Sequence, residues 1–220
     1  MEIPYTIVYT KRRSVSLMIS RQGSVVVRAP KGVLKNFLDG LVKQKADWIL
    51  KHTGLISKRK LKEKQFFEGE LFLLFGKLYP LCILEGFRSR LEFNEGFYLS
   101  KFKLTTARKI FLNFYKDKAR EVLLEQAVKY AELMGVSFKK LNITSAVTRW
   151  GSCSTSGSIN FSYKLVMAPI EIIEYVVVHE LAHISHKNHS VRFWRNVQDY
   201  YPDFAIARKW LRVNGSTLSL

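Results

Sequence analysis

The first fifty residues show strand-like and then helix-like spacing of apolar positions. Ile3–Tyr9 alternates between apolar and polar residues and predicts a strand. Val15–Ser20 and Ser24–Arg28 lie on either side of a short turn that contains glycine, a pattern typical of a hairpin. Val33–Lys51 carries apolar residues at helical spacing. The N-terminal region is therefore predicted to be β-rich, with one helix.

The rest of the chain alternates between the two kinds of pattern. Phe66–Phe97 is rich in aromatic residues, is interrupted by glycines and predicts several short strands. Thr105–Met134 predicts one long amphipathic helix, which ends before Gly135. Three strands are then predicted at Leu141–Val147, Arg149–Cys153 and Ser158–Tyr163, and three helices at Pro169–Ser185, Ser190–Tyr200 and Phe204–Val213. We expect an α+β fold, with a small β-rich module over residues 1–103 and a second domain over residues 104–220.

The composition indicates a globular protein that works in a reducing compartment. Hydrophobic residues make up 47% of the 220 positions, which is enough for a core of ordinary size. No apolar run is long enough to span a membrane, and the first residues lack the pattern of a signal peptide. Cys82 and Cys153 are the two cysteines, so a disulfide framework is not expected. We expect a cytoplasmic protein without a membrane partner.

The net charge of +18 is concentrated towards the N-terminus. Residues 1–66 hold 15 basic and four acidic side chains, whereas residues 141–220 hold eight and five. Such a surface attracts phosphates and nucleic acid. The lysines are dispersed, however, and aromatic residues are not interleaved with them as stacking platforms. A solvated basic surface is therefore the favoured interpretation, and nucleic acid bound through the N-terminal region is the alternative.

The most informative motif is His179-Glu180-Leu181-Ala182-His183. Residues four apart share one face of a helix, so His179 and His183 can offer two imidazoles to one ion. Glu180 follows His179 directly and can act on a water at that ion. As the alternative, two histidines on an apolar helix can be satisfied core residues. An ion would satisfy all three polar groups together, and we therefore predict a metal centre.

His189 and His186 are the two candidates for the third ligand. A third ligand on a straight helix would lie about 10 Å along the axis from His179. The helix is predicted to end near residues 186–188, so His189 can return from a turn and complete a tetrahedral set. We favour His189, and we expect His186 to support a ligand, contact the substrate or lie on the surface. Three imidazoles with one open position are the ligand set of a catalytic zinc.

The expected chemistry is hydrolysis by a zinc-activated water. Zinc lowers the pKa of its water and polarises the scissile carbonyl, while Glu180 acts as general base and passes the proton to the leaving group. A second donor to the oxyanion is usually needed. The sequence leaves four candidates open for it: Tyr200, Tyr201, His186 and Arg149.

A second motif, Arg149–Cys153, is predicted to lie beside the metal-binding helix. Gly151 in this strand allows another backbone to approach closely, and an extended peptide could pair with the strand edge. Arg149 and Trp150 are therefore candidate substrate contacts, although Trp150 fits a core position slightly better. Cys153 is expected to be a small buried residue rather than a metal ligand.

These motifs resemble the YgjP-like metallopeptidases, which are relatives of the SprT and WLM zinc proteases. The resemblance spans nearly the whole chain and departs most at about Leu81–Lys103. It is carried by Arg149–Cys153, Tyr175–His183, Asn188–Ser190, Phe193-Trp194, Tyr201–Asp203 and Trp210-Leu211. It implies a zincin-like catalytic domain with zinc on His179, His183 and His189, and with Glu180 as base. Tyr201, which lies in one of these motifs, is also a candidate substrate contact.

The family resemblance leaves the substrate open. We favour a zinc metallopeptidase acting on an extended polypeptide. One alternative is a metal-dependent hydrolase of nucleoside triphosphates, although the chain has no GxxxxGK[ST] motif and phosphoryl transfer more often uses carboxylate-bound metals. Another is a nucleic-acid-associated zinc-binding module, in which Glu180 would have no use.

Overall fold

The computed structural model describes residues 3–19, 24–50, 64–86 and 90–220. The chain forms two compact units, Met1–Lys62 and Glu63–Leu220. Strands dominate the N-terminal part and helices the C-terminal part, so the predicted α+β class is confirmed. No helix in these ranges is long and apolar enough to span a membrane.

The first unit is a three-stranded sheet with one helix. Strands β1 (Tyr5–Thr10), β2 (Ser16–Ile19) and β3 (Val25–Pro30) lie in the order β1-β3-β2. The antiparallel pairing of β2 with β3 agrees with the predicted hairpin, whose turn lies outside the described residues. Strand β1 pairs with β3 in parallel. The core of this unit contains Val25, Val27, Ala29, Leu38, Val42 and Ile49.

Helix α1 (Lys35–Gln44) is shorter than the predicted Val33–Lys51. Its C-cap, Lys45, has φ −98° and ψ 13°, and the chain is helical again over residues 46–50. The buried Val42 and Ile49 lie on either side of this interruption. Because the apolar spacing continues across Lys45, periodicity alone could not locate the break.

The second unit begins with a four-stranded sheet packed against a long helix. Strands β4 (Leu71–Leu74), β5 (Lys77–Leu84), β6 (Glu92–Phe93) and β7 (Phe97–Ser100) lie in the order β4-β5-β7-β6. Helix α2 (Ala107–Leu133) follows a 3-10 turn, Lys101–Thr106, and the chain leaves the helix through Gly135, at φ +62°. These elements agree with the predicted strands and long helix.

An aromatic cluster joins this sheet to α2. The ring centroids of Phe72 and Phe111 lie 4.3 Å apart, and those of Phe97 and Phe111 lie 5.1 Å apart. All three side chains are fully buried. Because the strands of residues 71–100 share a core with α2, the packing divides the chain near residue 62, whereas the sequence predicted a division between residues 103 and 104.

The third sheet and the last three helices complete the second unit. Strands β8 (Lys140–Thr144), β9 (Gly151–Cys153) and β10 (Ser158–Ser162) lie in the order β8-β10-β9. Among the described strands, β9 pairs with β10 alone, so its other edge has no strand partner in this part of the chain. Helices α3 (Ile170–Ser185), α4 (Val191–Tyr200) and α5 (Phe204–Asn214) follow. Helix α3 packs against α2, β9, α4 and α5, which places it at the centre of the unit.

The turn between β4 and β5 holds the start of α3 in place. The N–H groups of Phe75 and Gly76 donate to the carbonyls of Val166 and Met167, at 2.9 and 3.1 Å. Gly76 has φ +77°, and a Cβ there would lie 2.7 Å from Cγ of Pro169. Pro169 stands at the N-cap of α3, so the helix begins at Ile170, one position after the start predicted from the sequence. The close approach of Gly76 therefore fixes the position from which the motif helix begins.

Candidate metal centre

Three histidine side chains converge where α3 ends. His179 and His183 lie four residues apart on α3, as the helical spacing predicted. The helix ends at Ser185, and His186 is extended, at φ −126° and ψ 100°. The chain then turns back and brings His189 to the other two. One ligand nitrogen from each histidine lies within 4.8 Å of the others.

The geometry of the three rings fits a metal ion. Nε2 of His179 and Nε2 of His189 lie 3.1 Å apart. Two nitrogens bound to one tetrahedral zinc at 2.0–2.1 Å lie about 3.3 Å apart. Nδ1 of His183 donates to the carbonyl oxygen of His186 at 3.0 Å, which leaves Nε2 of His183 free of a proton and available to a metal. The donor set, three imidazoles, suits zinc.

A buried aromatic surface orients the three imidazoles. The ring of Phe193, on α4, is fully buried, and its centroid lies 5.0, 4.5 and 4.7 Å from those of His179, His183 and His189. The Trp194 ring lies 5.7 Å from His179 and 5.6 Å from His189. Nδ1 of His179 is buried and has no hydrogen-bond partner in the described part of the chain, so packing rather than a hydrogen bond holds this side of the ring.

Burial favours the neutral form of His179 and His183. It lowers the pKa of His179 to about 3, and the neighbouring His183, His189 and Arg208 contribute to the shift. Burial also lowers the pKa of His183. A metal binds the neutral form of imidazole, so this environment suits a ligand role without a proton to displace.

Glu180 faces the interior of the protein, where it lies against strand β9, and it is 6% exposed. A Cβ on Gly151 would lie 2.6 Å from both Cγ and Oε1 of Glu180, so only glycine leaves room for the carboxyl group there. Burial raises the pKa of Glu180 to about 7, and the charge of Arg149 opposes the rise. A carboxyl group with this pKa can both accept and return a proton near neutral pH.

Arg149 and Trp150 differ in their surroundings. Arg149 is exposed and close enough to Glu180 to act on its pKa. Trp150 is half-buried in the main core cluster, and a Cβ on Gly215 would lie 2.7 Å from its Cζ2. This packing agrees with a core position for Trp150.

A cleft of about 290 Å³ lies beside β9 and the residues just before it; Arg149 and Trp150 precede this strand, which is shorter than the predicted Arg149–Cys153. Ser152 and Asn160 are paired across β9 and β10 and share one face of the sheet, while Gly151 and the buried Phe161 share the face towards α3. The cleft is lined by Thr144, Ala146, Arg149, Trp150, Gly151, Ser152, Asn160 and Ser162. It includes none of the three histidines. The cleft therefore adjoins the candidate centre without containing it.

Tyr201 and His186, two candidate substrate contacts, each take part in a hydrogen bond that involves a backbone carbonyl. The hydroxyl of Tyr201 donates to the carbonyl of Glu171 at 2.8 Å, at the start of α3. That carbonyl is eight residues before His179, which is about 12 Å along the helix. The backbone carbonyl of His186 accepts from Nδ1 of His183, while the half-buried His186 ring makes no recorded contact with the described residues. Cys153 is half-buried and lies outside the cluster.

Two further residues near the cluster were missed by the sequence analysis. Tyr175 is 5% exposed, and its ring lies 5.8 Å from that of His179, four residues later on α3. The spacing of four could have indicated this neighbour. The guanidinium of Arg208, on α5, lies 5.0 Å from the centre of the Trp194 ring. Arg208 is brought there by the packing of α5, which leaves no local signal in the sequence.

Comparison with known proteins identifies a family. The family described as YgjP-like, metallopeptidase domain, matches residues 13–214. Among solved structures, the metallopeptidase zymogen of Pyrococcus abyssi abylysin is similar at 22% identity over 40% of this chain and 86% of that chain, with a TM-score of 0.36. No curated protein matches the chain. Because the family match covers most of the sequence, the chain belongs to the YgjP-like metallopeptidase family.

Proposed function

We propose that the protein is a zinc-dependent metallopeptidase that cleaves peptide bonds, with Glu180 as general base. The observation that carries this proposal is the convergence of three imidazole nitrogens within 4.8 Å, next to a buried carboxyl group whose pKa is about 7. Its family supports a metal-dependent hydrolase. The zinc, the residue roles and the peptide substrate are the parts that we propose.

His179, His183 and His189 would hold the ion. Zinc supplies two things when bound: it lowers the pKa of a water and polarises a carbonyl oxygen. The carbonyl of His186 fixes His183 in the tautomer that presents Nε2. The Phe193 ring packs against all three imidazoles and keeps them in place before an ion arrives. A rigid donor set of this kind lowers the cost of ordering the ligands.

Glu180 would move the proton. Its carboxylate accepts a proton from the attacking water and returns it to the amide nitrogen of the leaving group. Gly151 supports this role because it allows the carboxyl group to lie directly against the β9 backbone. Arg149 favours the ionised form of Glu180 and so helps to keep the base competent at neutral pH.

The edge of β9 that pairs with no described strand would position the substrate. An extended peptide that pairs with this edge runs past Gly151, which lies against Glu180. Backbone hydrogen bonds of this type are independent of the peptide's side chains. They would hold the scissile bond near the base, while side-chain contacts would select the sequence.

The experiment that tests this proposal must distinguish peptide hydrolysis from the alternative, which is hydrolysis of nucleoside triphosphates. The zinc-loaded protein is incubated with unfolded casein and, in parallel, with nucleoside triphosphates, each with and without DNA. New peptide termini without released phosphate support the peptidase. Released phosphate or pyrophosphate without peptide cleavage would overturn it. A rate that rises with DNA at low salt would support recruitment through the basic N-terminal region, and an unchanged rate would exclude that role.

A further inference from the structure

The most informative feature outside the histidine cluster is the contact between Arg208 and Trp194. Phe204 and Arg208 lie four residues apart on α5 and both contact the Trp194 ring: Phe204 stacks on it at 5.3 Å, and the Arg208 guanidinium lies 5.0 Å from its centre. The same indole lies 5.6 Å from the His189 ring, at an interplanar angle of 31°. Trp194 thus connects a cation on α5 to the candidate metal centre.

Arg208 is exposed and forms no ion pair with any residue that the structure describes. Stacking on an aromatic ring fixes the plane of a guanidinium but leaves its N–H donors free. A planar fork of donors matches a carboxylate through two parallel hydrogen bonds. A lysine at this position could not make the same contact, because its ammonium group presents donors without a fixed plane.

Two further cations act electrostatically on residues of the candidate centre. Arg149 acts on Glu180 and Lys187 acts on His183, and both cations are exposed. Neither forms an ion pair among the described parts of the chain. Glu174, an acidic residue further back on α3, is paired with Lys129 at 3.1 Å. Three exposed cations near the cluster, Arg149, Lys187 and Arg208, therefore favour anionic groups on a substrate.

We propose that Arg208, held by Trp194, binds a carboxylate of the peptide substrate next to the scissile bond. The proposal rests on the metallopeptidase function and names the substrate class: peptides with an acidic residue near the cleaved bond, or with a free C-terminus just beyond it. Both sources offer the same planar oxyanion, and the experiment distinguishes them. Arg208 is then a specificity-determining residue and takes no part in the proton transfer.

The first experiment measures binding without turnover. Fluorescein-labelled peptides are titrated against the zinc-loaded Glu180→Gln variant, and the Kd is read from anisotropy. Three peptides are identical except for one change: glutamate beside the scissile bond, glutamine there, or glutamine there with the C-terminus shortened to lie just beyond it. Adding Arg208→Gln to the Glu180→Gln variant is expected to weaken the binding of a carboxylate-bearing peptide about tenfold. The affinity for the plain glutamine peptide should stay the same.

The peptide whose binding becomes weaker identifies the source of the carboxylate. A loss of affinity confined to the glutamate peptide indicates a side chain, and a loss of affinity confined to the shortened peptide indicates the C-terminus. Lys209→Gln is the matched control, since it removes one positive charge from the neighbouring position of α5. If Arg208→Gln weakens all three peptides equally, or if Lys209→Gln has the same effect, the proposal is overturned.

A second experiment separates this inference from the proposed function. Unfolded casein is digested with zinc-loaded wild-type protein, and the residues around each new terminus are identified by mass spectrometry. Enrichment of aspartate and glutamate beside the cut sites, lost in Arg208→Gln but kept in Lys209→Gln, supports the inference. Cleavage with no such enrichment overturns the inference and leaves the peptidase in place. Absence of cleavage contradicts the peptidase itself, while the Kd values still decide the role of Arg208.

Discussion

Gly151 and Glu180 are in direct contact across the interface between β9 and α3. A Cβ at position 151 would lie 2.6 Å from Oε1 of Glu180 and 2.8 Å from its Cδ. Real Cβ atoms do not approach other atoms so closely, so a side chain there must displace the carboxyl group. The glycine in the β9 motif thus has a specific structural reason, which is the space it gives to the proposed base.

Gly151→Ala is therefore expected to lower peptide hydrolysis at least tenfold while zinc binding is kept. The three atoms nearest to the added methyl group would all belong to Glu180, so its carboxyl group would have to move. Hydrolysis of casein and zinc content measured on the same sample check this. Gly40→Ala is the control, because a Cβ at position 40 meets nothing within 4 Å. Full activity in Gly151→Ala would show that the contact has no catalytic consequence.

His189→Ala and His186→Ala form a matched pair for the third ligand. His189→Ala removes one of three donors and should lower zinc affinity by a factor of ten or more. His186→Ala keeps the backbone carbonyl that accepts from Nδ1 of His183, so its zinc affinity should change little. Competition with a chromophoric chelator gives both values. A larger loss in His186→Ala than in His189→Ala would reverse the assignment.

Phe193→Leu should lower both stability and zinc affinity. The fully buried ring contacts all three imidazoles, and its replacement leaves them less constrained. We expect a loss of about 1–2 kcal/mol in the free energy of unfolding. Phe111→Leu, at an equally buried position in the aromatic cluster of α2, should lose similar stability but keep its zinc affinity. Equal zinc affinity in wild type and Phe193→Leu would contradict the orienting role.

The raised pKa of Glu180 gives the metal-free protein a specific pH dependence. In the folded state the pKa is about 7, compared with an ordinary value of 4.5. Between these values the folded state binds more protons than the unfolded state, so the contribution of Glu180 to stability is fully present below pH 4.5 and is lost as the pH rises through 7. Glu180→Gln lacks this titration, while the lowered pKa of His179 affects both proteins alike.

The free energy of unfolding of wild type relative to that of Glu180→Gln should therefore fall as the pH rises from 4.5 to 7. Urea unfolding in the presence of a chelator at several pH values measures it. A difference that stays constant, or that grows with pH, would show that the carboxyl group is not buried in its neutral form.

The local parts of the fold and site were predictable from sequence. The β2–β3 hairpin, the long α2 and the pairing of His179 with His183 follow from periods of two and 3.6 residues, which are local properties. The return of His189 after α3 was also foreseeable, because the helix geometry excluded a third ligand further along a straight axis.

The remaining features depend on contacts between distant segments. The parallel pairing of β1 with β3, and the packing of residues 71–100 on α2, leave no periodic signal. The position of Tyr201, a candidate oxyanion donor and substrate contact, also depends on such packing: its hydroxyl donates to the carbonyl of Glu171 at the far end of α3. Arg208 reaches Trp194 only through the packing of α5.

The most direct test of the central claim is the rate of casein cleavage by zinc-loaded wild type and Glu180→Gln, with zinc content determined in the same samples. Glutamine keeps the size of the side chain and the three histidines but cannot accept the proton from water. Equal zinc content with a rate about 10²–10⁴-fold lower in Glu180→Gln is the predicted result. Equal zinc content with an undiminished rate would contradict Glu180 as the base of a zinc peptidase.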